Sequence, residues 1–182
     1  MPPLKKIVVI GPESTGKSTL CEQLATRFKA SWVPEFARNY LLNLGRPYNY
    51  DDLLIIAKGQ LESEDRLAEL ASVPLIFIDT DMYVMKVWCE FVFGKCHPFI
   101  LNEIVRRKYD AYLLCNTDLP WVADELREYP DPESRRQLYF MYKDLMINQQ
   151  TPWFEIIGDD GKRLNRAIEY VNNLTTANYL KQ

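Results

Sequence analysis

The chain has 182 residues, 47% of them hydrophobic and 26% charged, which excludes disordered and fibrous classes and suits one globular domain spanning residues 1–182. Its 22 basic and 25 acidic side chains leave a formal charge of -3, an argument against a nucleic-acid platform, which needs a basic excess to neutralise phosphates. The apolar runs are too short to cross a bilayer and no secretory signal opens the chain, so a cytoplasmic location without a membrane partner is expected.

In chain order, the first predicted element is a buried strand, Lys6–Ile10. It runs into Gly11-Pro12-Glu13-Ser14-Thr15-Gly16-Lys17-Ser18-Thr19, which matches G-x-x-x-x-G-K-[ST]. Leu20, Leu24 and Phe28 follow at fourfold spacing, so the loop joins a strand to an amphipathic helix. In that context the chemistry is phosphate binding. Gly11 and Gly16 let the backbone turn its N–H groups inward, and the helix adds its unpaired N–H groups and positive dipole end. Gly11 to Thr19 form the expected ATP site, with Lys17 on the β- and γ-phosphates and the Ser18 hydroxyl as a Mg²⁺ ligand.

A short strand, Ser31–Val33, precedes Pro34-Glu35-Phe36-Ala37-Arg38. A hydroxyl attacking a phosphoryl group must lose its proton, and Glu35 is placed to take it; the alternative is a carboxylate that merely favours a helix N-terminus. Arg38 lies one helical turn further on, in reach of substrate or the moving phosphate. The next helix is lined by Leu54, Ala57, Leu61 and Ala68, with Asp51 or Asp52 as its cap. Gln60 on that helix offers an amide to a substrate base, or simply faces solvent from the helix surface.

The strand Leu75–Ile78 ends in Asp79-Thr80-Asp81, at the carboxyl edge where open α/β sheets bind ligands. Asp79 is the expected second Mg²⁺ ligand, and Asp81 binds substrate or caps the helix beginning near Met82. Cys89, Cys96 and His97 lack an evident fourth partner, so no zinc site is expected, and Cys21 and Cys115 complete a set of reduced thiols.

After a strand at Ala111–Cys115, the proline-rich, charged stretch Leu119–Ser134 reads as an exposed or partly helical flap. The lid is therefore placed at about residues 119–136. Arg127, Arg135 and Arg136 are its candidates for closing on the transferred phosphate, Arg127 foremost, while Trp121 and Asp124 offer an aromatic face and a carboxylate to a flat cationic ring. Leu138, Met141, Tyr142 and Leu145 mark a helix, Trp153–Ile157 a strand, and Leu164, Ile168 and Val171 a last helix. The turn Gly158–Arg163 before it is a candidate platform for adenine. Strands alternating with helices predict a three-layer α/β sandwich around a mainly five-stranded parallel sheet.

The ordered set VVIGPESTGKSTL, WVPEFARNYL, FIDTD and Trp-Val-x-Asp resembles the ribosylnicotinamide kinase domain of NadR-type NAD-salvage proteins, from about Lys5 to about Leu174. The resemblance implies a P-loop kinase fold and transfer of the ATP γ-phosphate to the 5′-hydroxyl of nicotinamide riboside. It places Lys17, Ser18 and Asp79 on ATP–Mg²⁺ and Glu35, Asp81, Trp121 and Asp124 on the riboside side. WVPEFAR also resembles a strand end of deoxynucleoside kinases, which keeps other nucleosides, and an ATP-driven switch, as alternatives. The longer NadR-type proteins carry a nucleotidyltransferase domain ahead of the kinase. Few residues precede the first strand here and His97 lies deep in the chain, so adenylyl transfer is not expected.

Overall fold

A computed structural model of the chain describes residues 3–176. Strand β1 (Lys5–Ile10) leads through the glycine-rich loop into α1 (Lys17–Phe28). Then β2 (Ser31–Val33) precedes α2 (Phe36–Leu42) and α3 (Tyr50–Glu69), and β3 (Leu75–Asp79) precedes α4 (Met82–Phe93) and α5 (Pro98–Arg106). Finally β4 (Ala111–Cys115) is followed by α6 (Pro132–Asn148), and β5 (Trp153–Ile156) by α7 (Asp160–Thr176). All five strands pair in parallel in the order β2-β3-β1-β4-β5, the α/β architecture expected from the alternation.

Side-chain alternation along β1 builds the three layers. Ile7 and Val9 point into a core with Leu20, Cys21 and Leu24 of α1 and Ala167 and Val171 of α7. Val8 and Ile10 point the other way, against Val84 and Val87 of α4 and Leu138, Tyr142 and Met146 of α6. Because both faces are covered, the strand needs apolar residues at every position, which is why it reads as a continuous run. A third cluster, including Ala37, Leu53, Ile56, Met82, Met85 and Ile100, joins α2 through α5 beside the sheet. The amino-terminal edge is tied by Glu64, a buried carboxylate that accepts from Lys6 Nζ at 2.8 Å, Arg107 Nη1 at 3.2 Å and the Tyr109 hydroxyl at 2.9 Å.

Several local expectations shift. Neither Asp51 nor Asp52 caps α3. Asn49 does, accepting from the amides of both, while Asp52 accepts the Asn49 amide in return at 2.7 Å. The buried stripe of α3 runs through Leu53, Ile56, Ala57, Gln60, Leu61 and Glu64, rotated by about one residue from the expected Leu54-centred line because the helix packs against α2, α4 and β2 together. Helix α5 has no counterpart in the sequence reading. Residues 116–131 are irregular, and α6 begins at Pro132 with Asp131 as its cap, so Arg135 and Arg136 stand on a helix rather than in a flap. No helix among the described residues is long and apolar enough to cross a membrane.

Candidate active site

The strand order brings the carboxyl ends of β2, β3 and β1 side by side, and the segments leaving them share one cavity of roughly 370 Å³. The glycine-rich loop forms its floor. Gly11 (φ 140) passes so close to β4 that a Cβ there would lie 2.6 Å from the Cys115 carbonyl oxygen, so this position requires glycine. Ser14 (φ 55) and Gly16 (φ 74) take the left-handed turns that aim the loop's amides inward. The Thr15 hydroxyl closes the loop on the Pro12 carbonyl at 2.8 Å, and Lys17 Nζ donates to that same oxygen at 2.9 Å.

Asp79 ends β3 directly behind Lys17. Its Oδ2 accepts from the Ser18 hydroxyl at 2.5 Å, and its Oδ1 is buried with no hydrogen-bond partner among the described residues. Burial, then the nearby Glu35 charge, raise the carboxyl above its ordinary range, against the lowering pull of Lys17 and Ser18. An orphaned carboxylate oxygen beside a hydroxyl suits a hard divalent cation that takes few protein ligands and keeps substrate phosphates. Ser18 and Asp79 therefore fit Mg²⁺. Thr80 follows in a left-handed conformation (φ 71), an uncommon one for a β-branched residue. That turn separates Asp79, facing the cavity, from Asp81, which faces the core.

Glu35 stands at the cap position of α2 but makes no cap bond, and its carboxylate has no hydrogen-bond partner among the described residues. It lines the cavity with Lys17, Ser18 and Asp79. Its position is set by Phe36: the Phe36 amide donates to Gln60 Oε1 at 2.8 Å, and its ring rests on Gly59, where an added Cβ would come within 2.4 Å. Gln60 also donates to the carbonyls of Asp79 and Thr80, both at 3.2 Å. So Gln60 is a buried brace between the Glu35 and Asp79 strand ends, rather than an amide offered to a base. Asp81 is likewise engaged. It caps α4 through the Tyr83 and Val84 amides and accepts from the Tyr112 hydroxyl at 2.8 Å, while burial pushes its carboxyl up to about 7.

The 116–131 segment roofs the cavity. Arg127 lines it with Lys17 and Glu35, while Arg38 donates to Asp124 at 2.9 Å across its edge. That bond holds the Asp124 carboxyl below its usual range. Trp121 does not line the cavity; its indole N–H donates to Glu13 at 3.0 Å. Arg135 is buried on the Ser14 and Leu119 carbonyls, and Arg136 pairs with Glu133 on the surface. The aromatic wall comes instead from Trp32, Tyr48, Trp88, Phe91 and Tyr129. Trp88 Nε1 donates to the Tyr48 hydroxyl, which donates to Glu128 at 2.8 Å. In sequence, Val84, Trp88 and Phe91 carry helical spacing, a signal indistinguishable from core. The expected Gly158–Arg163 turn is largely the first turn of α7, and it sits beside the loop: Arg163 donates to the Thr15 carbonyl at 2.7 Å and to Asn116 and Asp118. A second cavity there is lined by Asp118, Gly158, Lys162 and Arg166. Cys89 is buried, and His97 Nε2 lies 2.9 Å from the Tyr50 carbonyl oxygen.

The fold and this loop define a P-loop nucleotide-binding domain. The AAA domain family matches residues 6–163, and the chain belongs to that family. It is 28% identical over 176 residues to the trifunctional NAD biosynthesis/regulator protein NadR of Escherichia coli K12, covering 94% of this chain and 43% of that protein. The chain thus spans less than half the length of this curated relative. A solved structure of NadR protein in complex with NR superposes with a TM-score of 0.81 at 24% identity, covering 95% of this chain and 52% of that one. Thymidylate kinase from Ehrlichia chaffeensis shares the fold at a TM-score of 0.66 and 14% identity, over 93% of this chain and 100% of its own.

Proposed function

We propose that this chain is an ATP-dependent kinase that transfers the γ-phosphate to the 5′-hydroxyl of nicotinamide riboside, giving nicotinamide mononucleotide. The observation that carries the reading is the convergence on one cavity of a phosphate loop with Lys17 and a carboxylate, Glu35, that has no hydrogen-bond partner among the described residues. A hydrolytic switch needs only an ordered water, whereas this cavity extends past Glu35 between aromatic side chains into room for an acceptor.

The loop amides and Lys17 hold the triphosphate, and Ser18 with Asp79 would hold Mg²⁺, which when bound neutralises phosphate charge. Glu35 accepts the hydroxyl proton as the acceptor oxygen attacks. Arg127 supplies a guanidinium fork to the charge spread over the transferred oxygens. Trp32, Tyr48, Trp88, Phe91 and Tyr129 give a flat ring its faces, and the Glu35 and Glu128 carboxylates favour a ring bearing positive charge. A pyridinium riboside meets both demands, and the NadR relative bound to NR supports the choice. The 116–131 segment serves as the lid, and residues 1–182 form one kinase domain.

The test is Glu35→Gln, with ATP binding and single-turnover phosphoryl transfer measured separately. The expected result is a turnover rate lower by about 10²- to 10³-fold with nucleotide affinity kept. An unchanged rate would remove Glu35 as the base.

A further inference from the structure

The phosphates of a bound nucleotide are held by the loop's backbone and Lys17, so the side chains at the variable loop positions are free for other work. Glu13 and Ser14 use that freedom in one direction. Glu13 Oε1 accepts from Trp121 Nε1 at 3.0 Å and from the Tyr129 amide at 2.7 Å, and its Oε2 accepts from the Glu128 amide at 3.0 Å. Ser14 Oγ accepts from the Val122 amide at 2.9 Å, while its carbonyl shares the Arg135 guanidinium with the Leu119 carbonyl at 3.4 and 3.1 Å. Both feet of the lid, residues 119–122 and 128–129, therefore stand on two adjacent residues of the phosphate loop. Between the feet lie Asp124, which accepts from Arg38 at the cavity edge, and Arg127, which lines the cavity.

On this basis we propose that Glu13 is a positioning residue rather than a phosphate ligand: its carboxylate fastens the acceptor lid to the donor loop, so that the two move as one body. The proposal rests on the kinase reading for its kinetic consequence, though not for the latch itself. A carboxylate turned toward a triphosphate would repel it. Turned outward, it accepts three N–H bonds, charge-assisted and stronger than neutral ones. Arg127 is thereby placed relative to Lys17 through the bonds that Glu13 and Ser14 make to the two feet. An acceptor gains access by opening the outer contacts, Arg38–Asp124 and Tyr48–Glu128, which are exposed, while the feet stay down.

The experiment uses the full chain and the variants Glu13→Gln, Trp121→Phe and their combination. Glutamine keeps the length but has one acceptor oxygen and turns an NH₂ group toward an N–H donor. Trp121→Phe removes one donor from the lid side and leaves the loop untouched, which guards against a loop variant that fails to fold. Amide hydrogen exchange across residues 119–131, ATP affinity and the acceptor KM are measured. Glu13→Gln is expected to speed exchange there by about tenfold or more, leaving the sheet unchanged. The acceptor KM should rise by about tenfold while ATP affinity moves less than about threefold. Trp121→Phe should shift both readouts less, and the combination should be no worse than the sum. Unchanged exchange in Glu13→Gln, or ATP affinity falling as far as the acceptor KM rises, would overturn the latch. If no acceptor is phosphorylated by the parent chain, the kinase reading fails and exchange alone decides the role of Glu13.

Discussion

Asp52 shows how one side chain can fix the start of a helix against its neighbours. Its carboxylate takes the Arg46 guanidinium at 2.7 and 2.8 Å, the Tyr40 hydroxyl at 2.7 Å and the Asn49 amide at 2.7 Å. The Arg46 bonds first, then the Asn49 amide and Tyr40, hold its carboxyl well below the usual carboxylate range against the pull of burial. A depressed folded pKa contributes stability that is present above the unfolded value, about 3.9, and is lost as pH falls toward the folded one. Asp52→Asn should therefore be less stable than the parent chain at neutral pH. That gap should narrow progressively below about pH 4, as read by urea unfolding at several pH values. A gap independent of pH would assign the effect to packing. The residue scale is also where sequence reading stopped short. Lys17, Ser18 and Asp79 are legible because their chemistry is local to a loop and a strand end. Gln60 read equally as an amide for a base or as a solvent-facing side chain, and Asp81 as a substrate ligand or a helix cap. The approach of Phe36 and Tyr112, distant in sequence, shows their polar atoms already used, Asp81 as that cap.

At the scale of elements, the path from packing to chemistry runs through α2 and α3. The end of the Phe36 ring lies against the bare backbone of Gly59, and the residue before it is Glu35. Gly59→Ala would place a methyl group about where the ring now lies, forcing Phe36 outward. The expected cost is roughly 1–3 kcal/mol of stability from overpacking, offset in part by the better helix propensity of alanine. Turnover should fall because Glu35 moves with Phe36, and ATP affinity should hold because the phosphate loop is on another strand. Thermal unfolding together with single-turnover kinetics checks both halves; a stability loss with normal turnover would uncouple Glu35 from this contact. Element positions were largely readable, since the strands are short apolar runs covered on both faces. Helix α5 and the start of α6 were not: the former opens at Pro98 with no side-chain cap bond, and the latter begins inside a proline-rich stretch that reads as loop. The aromatic wall on α4 escaped for a related reason. Val84, Trp88 and Phe91 have the spacing of a core stripe, and only the tertiary arrangement opens a cavity in front of them.

Across the whole molecule, the strand order decides what can react with what. With β1 between β3 and β4, the phosphate loop lies next to Asp79, and β2 outside β3 delivers Glu35 to the same edge. The order itself was not legible, because parallel strands related by crossovers pair with partners far along the chain. On the proposed reading, the aromatic and acidic half of the cavity favours an acceptor with a flat, positively charged ring. The most direct measurement is a panel of nucleosides, nicotinamide riboside included, incubated with the protein and Mg²⁺–ATP, with ADP and phosphorylated products resolved by mass. The expected result is nicotinamide mononucleotide formed with a kcat/KM at least about tenfold above that for any neutral nucleoside, a preference worth about 1.4 kcal/mol in the transition state. ADP released without any phosphorylated acceptor, or a neutral nucleoside preferred over the pyridinium riboside, would contradict it.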